Sequence, residues 1–159
     1  MSFRYDTYCG LYCGACPVLL AGQRGELEAL AAAWGREPED LRCEGCKSHV
    51  LSLFCAKCDL KACAVGHGIE FCYECEDYPC TRLVAFSRDR YPHHHVVLHN
   101  LGALAEEGLE RWLEDQATRW RCPTCQRRFA WYSERCEVCG SRLYDARAED
   151  RDLHQGERA

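Results

Sequence analysis

The sequence has no long hydrophobic run: nothing in its 159 residues approaches the length needed to cross a bilayer, so no association with a membrane is expected. The N-terminal stretch MSFRYDTYCGLYCGAC contains no apolar segment of signal-peptide length, and the expected location is cytoplasmic. A strong excess of one charge is missing too. The formal net charge is −5, and the basic footprint of a general nucleic-acid binder is absent. No alternating strand–helix pattern points to a barrel or a doubly wound sheet. No nucleophile–base pair, substrate pocket or cofactor motif can be read, and the histidines form no His-Glu-x-x-His element, so nothing supports an enzyme. Aliphatic and aromatic side chains are scarcer than the 47% hydrophobic content implies, because that figure includes fifteen cysteines. Small cores of this kind commonly need staples, either disulfides or metals.

Cysteine is what the chain has in quantity. Six Cys-x-x-Cys pairs occur, Cys13/Cys16, Cys43/Cys46, Cys55/Cys58, Cys72/Cys75, Cys122/Cys125 and Cys136/Cys139, with Cys9, Cys63 and Cys80 outside them. This spacing offers two thiolates to one cation on a tight knuckle, which suits tetrahedral zinc better than it suits bridging distant segments. A reducing compartment keeps thiols free for metal, and an odd count fits a closed disulfide set poorly. All fifteen cysteines are therefore candidate ligands.

The expected architecture is a small, irregular α+β metal-stabilised protein with two main helices, cysteine-rich zinc knuckles and a C-terminal zinc ribbon hairpin. Its parts are a multi-metal body over residues 1–98, a connecting amphipathic helix over 99–121, the ribbon over 122–144 and a charged, disordered tail over 145–159. Pro17 marks a helix start, and Leu27, Leu30, Ala31 and Trp34 recur at helical spacing up to Gly35. Leu101, Leu104, Ala105, Leu109, Trp112 and Leu113 make the second amphipathic stretch. FCAKCDLKAC (54–63) and FCYECEDYPC (71–80) repeat Phe-Cys-x-x-Cys-x4-Cys, as two equivalent clasping turns would. In the ribbon, Cys122, Cys125, Cys136 and Cys139 flank a segment holding Phe129, Trp131 and Tyr132; Gly140 follows the second knuckle, whereas Gln126 follows the first.

With the ribbon closed, eleven cysteines remain, one short of three tetrahedral sets, and His67 is the candidate twelfth ligand, giving about four zinc sites in all. One arrangement interleaves Cys43/Cys46 with Cys63/His67 and Cys55/Cys58 with Cys72/Cys75, leaving Cys9, Cys13, Cys16 and Cys80 together. That crossed brace resembles the MYND and RING classes of zinc-binding interaction modules; sequential pairing is equally allowed by spacing. Cys9, Cys13 and Cys16 also have the spacing with which radical-SAM enzymes hold a [4Fe–4S] cluster, and an iron–sulfur or redox site there is the alternative to zinc. His93, His94, His95 and His99 are expected as a solvated run ahead of the second helical stretch.

CGLYCGACPVLLA, CEGCKS, FCAKCDLKACAVGHGIEFCYECEDYPC, RWLEDQATRWRCPTC and WYSERCEVCG together resemble the prokaryotic cysteine-rich domain-of-unknown-function family numbered 3795, over roughly residues 8–144. The resemblance implies a cytoplasmic prokaryotic zinc-binding protein, often with a C-terminal ribbon, and brings no assigned reaction. The leading expectation is a structural multi-zinc scaffold that presents a surface to a protein or other macromolecular partner. A second is single-stranded nucleic-acid binding through the ribbon, where Arg119, Arg121, Arg127, Arg128 and Arg135 stand among Trp120, Phe129, Trp131 and Tyr132. The competing account of those aromatics is that they fill the ribbon's own small core.

Overall fold

Pro17 occupies the first turn of helix α1 (Pro17–Arg24), where its missing N–H leaves nothing unsatisfied. Gly25 separates it from α2 (Leu27–Trp34), so the first helical stretch is two segments packed against each other. The computed structural model describes residues 3–158, with the backbone alone at 157 and 158; residues 1–2 of the expected body and 159 of the expected tail lie outside it. Short helices follow through the cysteine-rich region: α3 (Pro38–Leu41), α4 (Leu53–Ala56), α5 (Asp59–His67) and α6 (Thr81–Phe86). Single 3-10 turns cover Cys13–Ala15, Cys72–Glu74 and Pro92–His94.

The second amphipathic stretch is likewise divided, into α7 (Val97–Glu107) and α8 (Leu109–Arg119). The break is at Gly108, whose φ of 84° and ψ of 163° lie in a region essentially closed to other residues. The fold turns the chain there so that Leu101 and Leu104 of α7 and Trp112 of α8 all reach the core. The tail forms helix α9 (Ala146–Arg158), where composition predicts disorder. Its anchors are local and specific: the Ala146 N–H donates to Trp131 O at 2.7 Å, and Asp145 caps the first turn through the Ala148 N–H at 3.0 Å. Among the described residues the β content is two isolated antiparallel bridges, Arg121 with Arg128 and Arg135 with Arg142.

One apolar cluster joins the two ends of the chain. Tyr12 meets the Trp112 indole edge-on at 6.0 Å, and around them lie Leu83, Val97, Leu101, Leu104, Trp120, Phe129 and Leu143. Two smaller clusters sit beneath α1 and α2, one around Leu19 with Cys13 and Cys46, the other around Val18, Ala31 and Leu41. The N-terminal segment is threaded between these layers. The Arg4 N–H donates to Glu44 O, the Cys13 N–H to Tyr5 O, the Cys72 N–H to Tyr8 O, and the Asn100 amide to Gly10 O. Gly45, at φ 113°, lies so close to the Arg4 carbonyl that a Cβ would clash with backbone.

Candidate metal centre

The hairpins over residues 121–128 and 135–142 are built alike. In the first, the Cys122 N–H donates to Arg127 O (2.8 Å) and the Gln126 N–H returns to Cys122 O (2.9 Å). In the second, the Cys136 N–H donates to Ser141 O (2.9 Å) and the Gly140 N–H returns to Cys136 O (2.9 Å). Each turn ends in a left-handed residue: Gly140 in one and, in the other, Gln126 at φ 63°, the one non-glycine with positive φ among the described residues.

This matched geometry brings Cys122 Sγ within 3.5 Å of Cys139 Sγ and Cys125 Sγ within 3.5 Å of Cys136 Sγ, and all four sulfurs within 4.8 Å of one another. Four sulfurs ~2.3 Å from a central zinc would lie roughly 3.8 Å apart, a spacing close to that found here, so the set could hold a metal ion. Cys122 and Cys136 are buried, and Cys139 faces solvent. The Ser141 hydroxyl, 3.3 Å away, and the Ser141 N–H hold the Cys139 thiol near 6, favouring the thiolate a cation needs.

The eleven earlier cysteines are arranged differently. Cys63, Cys72, Cys75 and Cys80 line one cavity of about 30 Å³ together with His67. The neighbouring Cys55 thiol holds Cys43 near 6, with help from the Ser52 and Gly45 amides. Burial pushes Cys16 up to about 11 and raises Cys13; the thiols that add to this are Cys43 at Cys16, and Cys16, Cys46 and Cys43 at Cys13. Burial likewise pushes Cys9 up to about 11, beside Cys58 and Cys72, and Cys46 up to about 12, beside Cys9 and Cys58. These neighbourhoods differ from the interleaved arrangement: Cys43 neighbours Cys55, Cys46 neighbours Cys9, Cys13 and Cys58, and Cys80 neighbours Cys63, Cys72 and Cys75. Among the described residues, no set of three body thiols has all its sulfurs within 4.8 Å.

His67, the candidate twelfth ligand, is exposed at the end of α5, with Nδ1 2.8 Å from Cys63 O and 3.7 Å from Cys63 Sγ. The knuckle halves of the internal echo match, since the Cys58 N–H donates to Cys55 O and the Cys75 N–H to Cys72 O. Their third cysteines do not: Cys63 lies inside α5, whereas Cys80 caps α6 by accepting from the Leu83 N–H at 3.5 Å.

The arginines and aromatics proposed for nucleic acid are engaged within the chain. Arg128 donates to Gln23 Oε1 (2.9 Å) and Gly14 O (3.0 Å), fastening the first hairpin to α1. Arg127 pairs with Glu137 at 2.8 Å, Arg121 donates to Gln126 O at 3.1 Å, and Arg119 stacks on Trp120 while donating to Tyr144 O at 2.7 Å. Phe129 and Trp120 are each 5% exposed, and Trp131 stacks on His93 at 3.9 Å. The histidine run is solvated only at His99: His93, His94 and His95 are half-buried, and His93 Nδ1 lies 2.6 Å from the Tyr132 hydroxyl.

Two clusters escaped the sequence reading. Lys47, next to Cys46, is buried against Asp6 at 3.0 Å and over the Phe71 ring at 3.8 Å, and reaches Glu70 at 3.1 Å. His95 sits not with His99 but with Asp150 and His154 of α9. The i, i+4 spacing of Asp150 and His154 was the available signal, hidden by reading that segment as disordered.

A family model described as "Protein of unknown function (DUF3795)" matches residues 5–85, about half of the chain. The chain belongs to this DUF3795 family. The match holds the eleven body cysteines and His67 and stops before α7, so the resemblance over 8–144 is supported only in its first part. No curated protein and no solved structure matches the chain. No helix among the described residues is long and apolar enough to cross a membrane.

Proposed function

We propose that the chain is a prokaryotic, cytoplasmic zinc protein whose thiolate-rich sites are structural, and that it serves as a scaffold for a macromolecular partner. The observation that carries this reading is the four-sulfur cluster of Cys122, Cys125, Cys136 and Cys139, whose all-thiolate donor set suits zinc. Four thiolates leave no open position for substrate or activated water. The body supplies three further donor sets from Cys9, Cys13, Cys16, Cys43, Cys46, Cys55, Cys58, Cys63, Cys72, Cys75, Cys80 and His67. Their neighbourhoods favour Cys13/Cys16/Cys43/Cys55, then Cys9/Cys46/Cys58/Cys72, then Cys63/His67/Cys75/Cys80. Cys72 lies between the last two sets, and His67 makes up the donor that its assignment to the second set removes from the third. The internal pairing of Arg119, Arg121, Arg127 and Arg128 supports a scaffold over a strand-binding face. A cleft of about 400 Å³ between α1, α2 and the hairpins, lined by Leu20, Leu30 and Phe129, is a concave surface open to such a partner.

Elemental analysis with a visible spectrum, on protein prepared with and without oxygen, tests the reading. Near four zinc per chain and no colour is expected, falling to about three in His67→Ala. Iron with sulfide in the anaerobic sample would overturn zinc at the N-terminal cysteines, and a metal-free chain with an intact far-UV spectrum would overturn the scaffold.

A further inference from the structure

We propose that His95, Asp150 and His154 form a separate, thiolate-free site for a divalent transition-metal ion, which clasps α9 to the turn preceding α7. His95 Nδ1 lies 2.7 Å from Asp150 Oδ1, His154 Nε2 lies 3.5 Å from the same oxygen, and the three donor atoms fall within 4.8 Å of one another. The donors come from two elements far apart in sequence. Asp150 and His154 are four residues apart on α9, hence on one face, and the His154 ring lies nearly parallel to that of His95 at 5.9 Å.

The decisive detail is on the other side of His95. Its Nε2–H donates to the Asp89 carbonyl oxygen at 2.6 Å, and its Nδ1–H donates to Asp150 Oδ1 at 2.7 Å, so a cation binding here would displace the Nδ1 proton and leave that nitrogen as the ligand. A ligating histidine is commonly oriented in this way, by a carbonyl or carboxylate on its second nitrogen. Asp89 also holds its neighbour, with Oδ2 2.7 Å from His94 Nδ1, so the supporting carbonyl is itself fixed.

Burial suits a site with access. His95 and Asp150 side chains are 16% and 18% exposed, whereas His154 is 58% exposed, which leaves the outer side open to water ligands. Two imidazoles and one carboxylate select zinc, cobalt or nickel over magnesium or calcium, which prefer all-oxygen shells. The inference does not rest on the thiolate sites, because no sulfur takes part.

The test is cobalt(II) titration of the full chain after its thiolate sites are filled with zinc. Wild type is expected to take up one cobalt with weak visible bands and no sulfur-to-cobalt charge-transfer band, and binding should weaken at least ~10-fold in His154→Gln and Asp150→Asn. His99→Gln, at an exposed histidine on α7, should bind as wild type does. His154 is exposed, so His154→Gln keeps the fold, as its far-UV spectrum can verify. No uptake by wild type, equal uptake by His154→Gln, or uptake only with the sulfur band would each overturn the site. Failure of the zinc reading would instead appear as missing zinc before cobalt is added.

Discussion

The four cysteines over residues 122–139 and eight of the eleven before them share the same Cys-x-x-Cys spacing, yet among the described residues only the first group is gathered. The hairpins bring four sulfurs together with backbone hydrogen bonds that need no cation. The body thiols adjoin one another without closing, and most are pushed up by burial and by one another. A knuckle whose turns are self-sufficient can preform its site. A region whose short helices hang between knuckles leaves the closing step, on the proposed reading, to the metal.

The sharpest way to break this contrast is to remove metal from one region at a time. Cys139→Ser, at an exposed rim position, should release one zinc and leave the helical far-UV signal close to wild type. Cys13→Ser, inside the cluster around Leu19, should lower metal content and collapse helicity together, because structural zinc contributes ~10–16 kcal/mol that is folding free energy. Elemental analysis paired with circular dichroism reads both. Equal loss of helicity in the two variants would erase the distinction drawn between the regions.

Lys47 marks the next largest effect. It holds Asp6 beneath the body knuckles, both side chains being 3% exposed, and Arg4 bonds the same carboxylate at 3.1 Å. Burial raises Asp6, but the bonds from Arg4 and Lys47 outweigh it and keep the carboxylate ionised. Lys47→Ala leaves Arg4 as the remaining cation on Asp6, so the expected cost in urea denaturation of the metal-loaded protein is about 3 kcal/mol, the low end for breaking a buried pair. A loss below ~1 kcal/mol, the scale of a surface pair, would show that the ion pair is not what fixes the N-terminal segment over Cys46.

What the sequence made legible follows the same division. The hairpin set could be read because its ligands are near in sequence and its turn residues are local signals. The body could be read as cysteine-rich and irregular, but its neighbourhoods cross the chain: Cys9 meets Cys58, and Cys43 meets Cys55, through contacts fixed by the N-terminal segment. The helix breaks were visible as Gly25 and Gly108 and were overridden by apolar periodicity on either side. Helix α9 was hidden for a different reason. Its charged surface resembles a disordered tail, and its order comes from Ala146 and Asp145 at one end and from Asp150 against His95, none of which a composition window can see.

Arg128 tests whether hairpins and body are one folding unit. It fastens the first hairpin to α1 through Gln23 and the Gly14 carbonyl, the same junction at which the Trp131 N–H reaches Ala15 O. Arg128→Ala is expected to cost about 1–3 kcal/mol, and to speed hydrogen exchange in residues 121–142 more than in α7. Uniform acceleration across both regions would mean that the hairpins do not open separately from the core.

The smallest expected effect is a gain. The two hairpins differ at the residue that ends the knuckle, glycine at 140 and glutamine at 126, although both adopt positive φ. A side chain there costs roughly 1–2 kcal/mol against glycine, offset in part by the roughly 0.5–1 kcal/mol of entropy that glycine loses on folding. The Gln126 amide recovers some of this by donating to Cys122 O at 3.3 Å. Gln126→Gly should therefore stabilise the protein by a few tenths to about 1 kcal/mol, with metal content unchanged. Loss of stability instead would show that the amide contact, rather than the backbone, holds the first knuckle in register with the second.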